Sequence, residues 1–332
     1  MNRRKYIKTI VLGAFAPSLS ASTYKIDLFA SNSKNGKVNF KSNWSNWHDM
    51  KWVGSEYWGN RLQDWRLKNG MAVCGVTAPN RTLQLLTVQK DNDLSAFEVS
   101  VTVNLLNTNF NSSDKGCIGL RLGNKGVFED YRSAAVFGKG FDIGFTPKGN
   151  FKIGKDILTT DISEIPETFK LEASFQPVDK DFELQIKIQD LSNNEYVFEK
   201  SNIQVKANDV VGNFALLSDF KKNSKESKPS VGFSDWRITS NRLYKNESQV
   251  FGPICFAQYT LHRNKLKITA QLAPIENIKE HKVVLQFKDG EHWKTQENTI
   301  VTHLGRAVNF VVPNWNSNKD VAYRILAIIP LK

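Results

Sequence analysis

Cysteine and histidine are scarce here, and what remains of them is badly placed for metal or redox chemistry. The three cysteines, Cys74, Cys117 and Cys255, show no Cys-x-x-Cys spacing, so neither a zinc ribbon nor a redox pair nor a disulfide scaffold is implied. Cys74 and Cys117 fall in strand-like runs, where they either pair with each other or sit as small core residues. Cys255 is left over. The five histidines, His48, His262, His281, His292 and His303, are dispersed. None has the His-Glu-x-x-His or His-x-His spacing that puts two ligands on one metal. A binuclear hydrolytic centre needs several Asp, Asn and His ligands from strand ends, and no such set is visible, so no cofactor is expected within these residues. The Glu-x-Asp-x-x-Glu pattern of retaining sandwich glycosidases is also missing, and catalysis by this chain is not expected. No run approaches the roughly 20 apolar residues of a membrane-spanning helix, and no long amphipathic helical pattern occurs.

Charge of one sign is in excess, with a formal net charge of +12. Arg3, Arg4, Lys5 and Lys8 supply part of it. The remaining lysines are scattered, the densest cluster being Lys221, Lys222, Lys225 and Lys228, in what reads as a loop. A solvated lysine-rich surface fits this better than a nucleic-acid site, because no aromatic-basic interleaving is present.

What the chain has is strand signal. In Tyr57-Trp-Gly-Asn-Arg-Leu-Gln-Asp-Trp-Arg66, Trp65 and Leu67 share one strand face, while Asp64, Arg66 and Lys68 share the other. Asn69-Gly70 then has the chemistry of a two-residue type I′ turn. A similar strand, residues 230–238, carries Asp235-Trp236. Its Val231 and Phe233 are out of phase with Trp236 and Ile238, which predicts a β-bulge near Ser234-Asp235. Residues 82–88, 97–103, 117–122, 169–175 and 182–188 alternate as further strands, the last two as a meander. Residues 245–252 read as a connector before Pro253. Residues 266–272, 282–287, 307–312 and 322–327 alternate again, with Lys288-Asp289-Gly290 as a hairpin turn and Trp293 and Trp315 as core candidates.

The first 22 residues read as an export signal: a charged start, an apolar segment over 9–16, then Pro17 and small residues. Arg3-Arg4 resembles a twin-arginine signal, with Asn2 as a departure from the usual pattern; an ordinary secretory signal is the alternative. The protein is then exported, to the periplasm or beyond, with no membrane span after processing.

The run Trp52-Val-Gly-Ser-Glu-Tyr-Trp-Gly-Asn-Arg-Leu-Gln-Asp-Trp-Arg66 resembles the N-terminal, non-catalytic region of secreted PhoD-like alkaline phosphatases. Gly119-Leu-Arg-Leu-Gly123, Asp130-Tyr-Arg-Ser-Ala-Ala135, Gly252-Pro253 and Asp320-Val-Ala-Tyr-Arg324 are similar to the same family. The resemblance spans most of residues 45–330. It implies a following metallophosphatase domain as partner, holding a binuclear metal beyond residue 332.

The expected fold is all-β: residues 23–45 as a polar lead-in, 46–245 as a concanavalin/laminin-G-like jelly-roll sandwich, and 253–332 as a small immunoglobulin/fibronectin-III-like sandwich. Two candidate sites follow. Tyr57 and Trp58, with Trp44, Trp47 and Trp52 upstream and Asn60, Arg61 and Asp64 nearby, form a platform for a polysaccharide or an anionic polymer; alternatively these aromatics close the open end of the sandwich or pack against the second domain. Glu129 and Asp130 can carry a structural Ca2+, unless the loop is simply tied by an Asp130–Arg132 contact. Two functional readings stand: an exported accessory region of a PhoD-like phosphatase, active in phosphoester hydrolysis, or a free-standing secreted carbohydrate-binding protein.

Overall fold

A computed structural model describes residues 9–16, 33–107, 115–128, 130–162, 164–220, 230–276, 281–299, 301–302, 304–318 and 320–332. In chain order the strands are β1 (Thr9–Ala16), β2 (Ser33–Lys41), β3 (Tyr57–Gly59), β4 (Trp65–Lys68), β5 (Met71–Cys74), β6 (Arg81–Lys90), β7 (Phe97–Leu105), β8 (Gly116–Lys125), β9 (Lys139–Phe145), β10 (Phe151–Ile153) and β11 (Asp156–Leu158). They continue as β12 (Thr168–Val178), β13 (Asp181–Asp190), β14 (Tyr196–Val205), β15 (Gly212–Phe220), β16 (Val231–Asn246), β17 (Ile254–His262), β18 (Lys265–Leu272), β19 (Lys282–Asp289), β20 (His292–Thr299), β21 (Ala307–Val312) and β22 (Tyr323–Pro330). The described helices are short: α1 (Tyr131–Phe137) and α2 (Ala207–Val210), besides two single 3-10 turns. None is long and apolar enough to cross a membrane.

The chain forms two compact units. The larger comprises Asn32–Asp49 and Glu56–Gln249; the smaller holds β1, Met50–Ser55 and Val250–Lys332. In the larger unit the strands are hydrogen-bonded in the order β11-β10-β9-β8-β15-β6-β16-β7-β12-β13-β14, with β3 beside β6, β2 and β5 beside β16, and β4 beside β5. All of these pairs are antiparallel. The long β16 belongs to both halves, pairing β7 through its first part and β6 at Tyr244 and Lys245. The halves pack face to face through phenylalanines: Phe145 on β9 lies 5.2 Å from Phe169 on β12, and Phe97 on β7 lies 6.0 Å from Phe214 on β15. Such edge-on ring contacts are the favoured aromatic geometry.

Several local expectations hold. Asn69 (φ 52°) and Gly70 (φ 76°) make the two-residue turn between β4 and β5, with Lys68 opposite Met71. The register of β16 against β7 slips between Ser234 and Arg237, and Asp235 takes φ 44°, so the bulge falls where the phase change placed it. That slip lets Val231, Phe233, Trp236 and Ile238 all point inward, and all four are buried. The strands bearing Trp65 and Trp236 share one sheet, with β5 between them. Cys74 and Cys117 are buried, unpaired thiols.

Two expectations are corrected. Residues 33–41, read as part of a polar lead-in, form β2 on the flank of β16, with Val38 and Phe40 buried. Their two apolar side chains alternate with Lys37, Asn39 and Lys41, a pattern too short to stand out among polar neighbours. Trp293 is half-buried, its ring under the Arg324 guanidinium at 4.4 Å rather than in the core. Trp315 does pack on the core, 4.9 Å from Phe287.

The smaller unit sets the sheet β17-β18-β21 against β1-β22-β19-β20 around Leu266, Ile268, Leu285, Phe310 and Ile325. Residues 9–16, the apolar segment expected within an export signal, lie parallel to β22 from Thr9 opposite Tyr323 to Ala16 opposite Pro330. Arg3 and Arg4 lie outside the described residues.

Candidate functional site

The aromatic cluster upstream of β4 is core, and this corrects the platform expectation for most of its members. Trp44, Trp47, Trp52 and Tyr57 are all buried. Tyr57 lies 4.9 Å from Trp44, 6.3 Å from Phe40 and 6.2 Å from Trp236. Burial pushes its phenol well above the ordinary value, and its hydroxyl has no hydrogen-bond partner among the described residues. Trp52 donates its indole N–H to the Phe251 carbonyl at 3.2 Å within the smaller unit. Apolar side chains this large are stabilising only when removed from water, and the sandwich has room for them inside.

Trp58 is the exception, and the strand register explains why. On β3 it points away from Tyr57, to the face of the sheet opposite the core. There it stands opposite Gln84, which is level with Ala215, then Arg121, then Asp142. One rung therefore runs Trp58–Gln84–Ala215–Arg121–Asp142 across five strands. The next rung starts at Asn60, whose N–H donates to Thr82 O at 2.8 Å, and continues through Thr82, Leu217, Gly119, Gly144 and Lys152. Gly119 and Gly144 are fixed as glycine: a Cβ at either would lie 2.3 or 2.0 Å from a carbonyl oxygen of the facing strand.

This outer face carries a continuous polar network. Arg121 donates through Nε to Asp142 Oδ1 at 2.6 Å and through a terminal nitrogen to Oδ2 at 3.2 Å, the bidentate form that such pairs favour. Lys152 donates to the same Oδ2 at 3.0 Å. Burial alone would lower the affinity of the Arg121 guanidinium for its proton, but the Asp142 carboxylate outweighs this and raises it. Arg121 also reaches Asn80 Oδ1 at 3.3 Å and Gly138 O at 3.1 Å. Asn80 N–H donates to Asp219 Oδ1 at 2.6 Å, and Asn60 Nδ2 to Asn80 O at 3.0 Å. Asn60, Asn80, Arg121, Asp142 and Lys152 are thus linked bond by bond.

One end of the face is covered. Gln84 Nε2 donates to Tyr131 O at 2.7 Å and Asn124 Nδ2 to Ala134 O at 3.0 Å, pinning α1 over the first rung. The other end keeps accessible polar groups: Asn80 and Arg61 are exposed and Asn60 and Asp219 half-buried, while Trp58, at the head of the rung that α1 covers, is half-buried. Arg61 adopts φ 56° where the chain turns into the 3-10 segment Leu62–Asp64. Asp64, expected at the ligand, is instead bonded at 2.7 Å by Arg81 Nε, with both side chains largely buried. Two open surface hollows of about 320 and 300 Å³ lie elsewhere, the first lined by Lys34, Lys37, Lys245 and Glu247.

In the second candidate site, Glu129 lies outside the described residues. Asp130 caps α1: its Oδ1 accepts from Arg132 N–H at 2.8 Å, and the Arg132 guanidinium grips both oxygens. Those bonds hold the Asp130 carboxyl below its ordinary range. Its oxygens are engaged by a guanidinium, the second of the two readings of this loop. Among the described residues no group of three or more His, Cys, Asp or Glu side chains is arranged to hold a metal ion.

Sequence reasoning missed Gln84, Asn80, Arg121, Asp142, Lys152 and Asp219. They come from segments up to about 140 residues apart and share no motif. The available signal was single polar residues, such as Gln84 and Arg121, set within otherwise apolar strands.

No protein-family model matches the chain, and no curated protein matches it in sequence. Among solved structures, winged bean acidic lectin, complexed with methyl-α-D-galactose, is 12% identical, with 62% of this chain and 99% of that one covered and a TM-score of 0.41. Lectin II from Ulex europaeus is 11% identical, covering 64% and 100%, at 0.40. The exoplasmic/lumenal domain of VIP36 is 10% identical, covering 60% and 93%, at 0.36. Values this low carry no inference about what this chain binds.

Proposed function

We propose that this is an exported glycan-binding protein, with the sugar held on the outer face of the larger unit between Trp58 and the Asn60–Asn80–Asp219 edge. The observation that carries the reading is the placement of Trp58. It is the one aromatic of the cluster over residues 44–58 that turns outward, and it shares its face with Asn60. Its half-buried indole leaves part of a flat apolar surface for one side of a pyranose ring. Amide, carboxylate and guanidinium groups beside it can satisfy the hydroxyls, which lose water on binding and must be re-bonded. Arg61 adds a cationic group at the same edge, which suits an acidic polysaccharide as well as a neutral one. On this reading the larger unit is a concanavalin/laminin-G-like jelly roll and the smaller an immunoglobulin/fibronectin-III-like sandwich; the strand order β17-β18-β21 facing β22-β19-β20 supports the latter. The test is a glycan array spanning neutral and acidic plant, algal and bacterial polysaccharides. Binding that is lost in Trp58→Ala supports the proposal; no binding to any glycan defeats it.

Export belongs to the same proposal and rests on Arg3-Arg4 and the apolar segment that follows. Lysine at both positions keeps the charge but not the paired guanidinium recognition. Precursor should then accumulate in the cytoplasm if the route is twin-arginine dependent. Normal secretion of that variant would leave an ordinary signal.

A second reading is carried by the Trp52–Arg66 run and its companions: the chain is the accessory region of a PhoD-like phosphatase, and glycan binding anchors that enzyme. A metallophosphatase reading frame continuous with the codon for Lys332 would support it. A stop codon there, with no such frame adjacent, would separate this protein from phosphoester hydrolysis.

A further inference from the structure

Strands β2 and β16 of the larger unit set lysines against one another without the compensation found at comparable places. Lys34 stands directly opposite Lys245 in the antiparallel register. Side chains so placed start about 5 Å apart, and like charges there are destabilising. Other pairs of this kind are relieved by a neighbour. Lys41, opposite Arg237, shares with it the Asp235 carboxylate, at 3.4 Å and 3.0 Å respectively. Lys125, opposite Lys139, donates instead to Asn208 O at 3.1 Å and Oδ1 at 3.2 Å. Lys34 has no such outlet. Among the described residues, neither the Lys34 nor the Lys37 ammonium has an ion-pair or hydrogen-bond partner, and Glu247, 2.7 Å from Lys245, answers only that one.

The three lysines line one surface hollow, the one of about 320 Å³, together with Asn35, Gly36 and Glu247. Gly36 helps to keep it open: a Cβ there would meet nothing within 4 Å. Lys37 also lines the hollow of about 300 Å³, so the two adjoin. The second has a different chemistry, supplied by Asn39, Glu98, Gln176, Thr239 and Asn241. Asn39, Thr239 and Glu98 lie level with one another on β2, β16 and β7. The side chains of Asn39, Gln176, Thr239 and Asn241 make no hydrogen bond to another described residue. A cationic hollow therefore leads into one lined by unengaged amides and a hydroxyl.

We propose that these adjoining hollows bind an acidic polysaccharide through a tetrahedral oxyanion ester, sulfate or phosphate. The ester sits among Lys34, Lys37 and Lys245, and Asn39, Gln176 and Asn241 bond the hydroxyls of the adjoining sugar. An anion among the three ammoniums relieves a repulsion that the protein itself leaves standing. The donor set selects the shape of that anion. A planar carboxylate is matched by the fork of a guanidinium, and no arginine lines the hollow. Lysines are separate point charges approaching from different directions, which suits an ester with oxygens pointing several ways. Amide groups donate and accept at once, as a sugar hydroxyl stripped of water requires. The net charge of +12 draws a polyanion towards the protein. The site lies on β2 and β16, apart from the Trp58 edge, and either can fail without the other.

The test is fluorescence anisotropy of the full chain with labelled dextran sulfate, phosphorylated dextran, polygalacturonate and uncharged dextran of similar length. The native chain should bind one or both ester polymers at least tenfold more tightly than polygalacturonate, and the tighter of the two names the ester. Uncharged dextran should not bind, and rising salt should weaken the complex. Lys34→Gln combined with Lys37→Gln should lose at least tenfold in affinity. Lys155→Gln combined with Lys206→Gln removes the same charge from exposed positions elsewhere and should stay within about twofold of native. The bound polymer should raise the melting temperature of the native chain but not that of the Lys34/Lys37 variant. Without polymer that variant should melt no lower than native, because only repulsion has been removed. Absence of binding to either ester polymer, polygalacturonate bound as tightly, equal losses in the two lysine pairs, or a Lys34/Lys37 variant that binds normally or melts lower would each overturn the proposal.

Discussion

The Tyr57 hydroxyl is buried among Trp44, Phe40 and Trp236 with no hydrogen-bond partner among the described residues. Taking it out in Tyr57→Phe therefore changes the balance in an unusual direction. A buried hydroxyl left unpaired costs about 1–3 kcal/mol of desolvation that nothing offsets. Phenylalanine keeps the ring and its contacts and leaves a gap of only one oxygen atom, a small loss against the packing of the whole ring. The net expectation is a gain of about 1–2 kcal/mol. For a unit of roughly 200 residues, each kcal/mol shifts the melting point by about 2–4 °C, so the transition of the larger unit should rise by about 2–8 °C. Urea denaturation followed by tryptophan fluorescence should show a higher midpoint with an unchanged slope. Glycan affinity should not change, since the hydroxyl does not reach the outer face. A Tyr57→Phe protein destabilised by 1 kcal/mol or more would refute the reasoning, because the hydroxyl would then have a partner.

Trp65→Ala and Trp236→Ala should each cost about 3–5 kcal/mol in urea denaturation, since both indoles are fully buried on opposite sides of β5. Asp142→Asn should cost about 3–5 kcal/mol by the same assay: it leaves Arg121 buried without its carboxylate and removes the partner of Lys152. His281 is buried in the smaller unit, and burial first, then Arg306, lowers its pKa below 6.5. Its contribution to stability is therefore complete above about pH 6.5 and lost as the pH falls through the lower folded-state value. Urea midpoints of the smaller unit at pH 7.5 and 5 should differ, and His281→Gln should reduce that difference.

The strands were legible because period-2 alternation and turn chemistry are local. Asn69-Gly70 and the phase change between Phe233 and Trp236 each fixed a feature of the backbone from a handful of residues. The fate of the aromatics was not legible, because burial of Trp44 and Tyr57 depends on Trp236 of β16, far along the chain, and that of Trp52 on the segment at Phe251. A tryptophan beside glycine looks the same whether a distant strand covers it or not. Trp58 differs from Tyr57 only in parity, and parity has meaning only once β3 is known to pair with β6. The polar face was hidden for a related reason. Within β8, Arg121 sits among Leu120, Leu122 and glycines, and its function as an organiser of the outer face follows only from Asp142 on the next strand.

The central claim is that Trp58, and not its buried neighbour, meets a sugar. Isothermal titration of the native chain, Trp58→Ala and Tyr57→Phe against a polysaccharide bound on the array tests this most directly. The account predicts at least a tenfold loss of affinity in Trp58→Ala, with its urea midpoint within about 1 kcal/mol of native, and native affinity in Tyr57→Phe. Undiminished binding by a folded Trp58→Ala protein would contradict it.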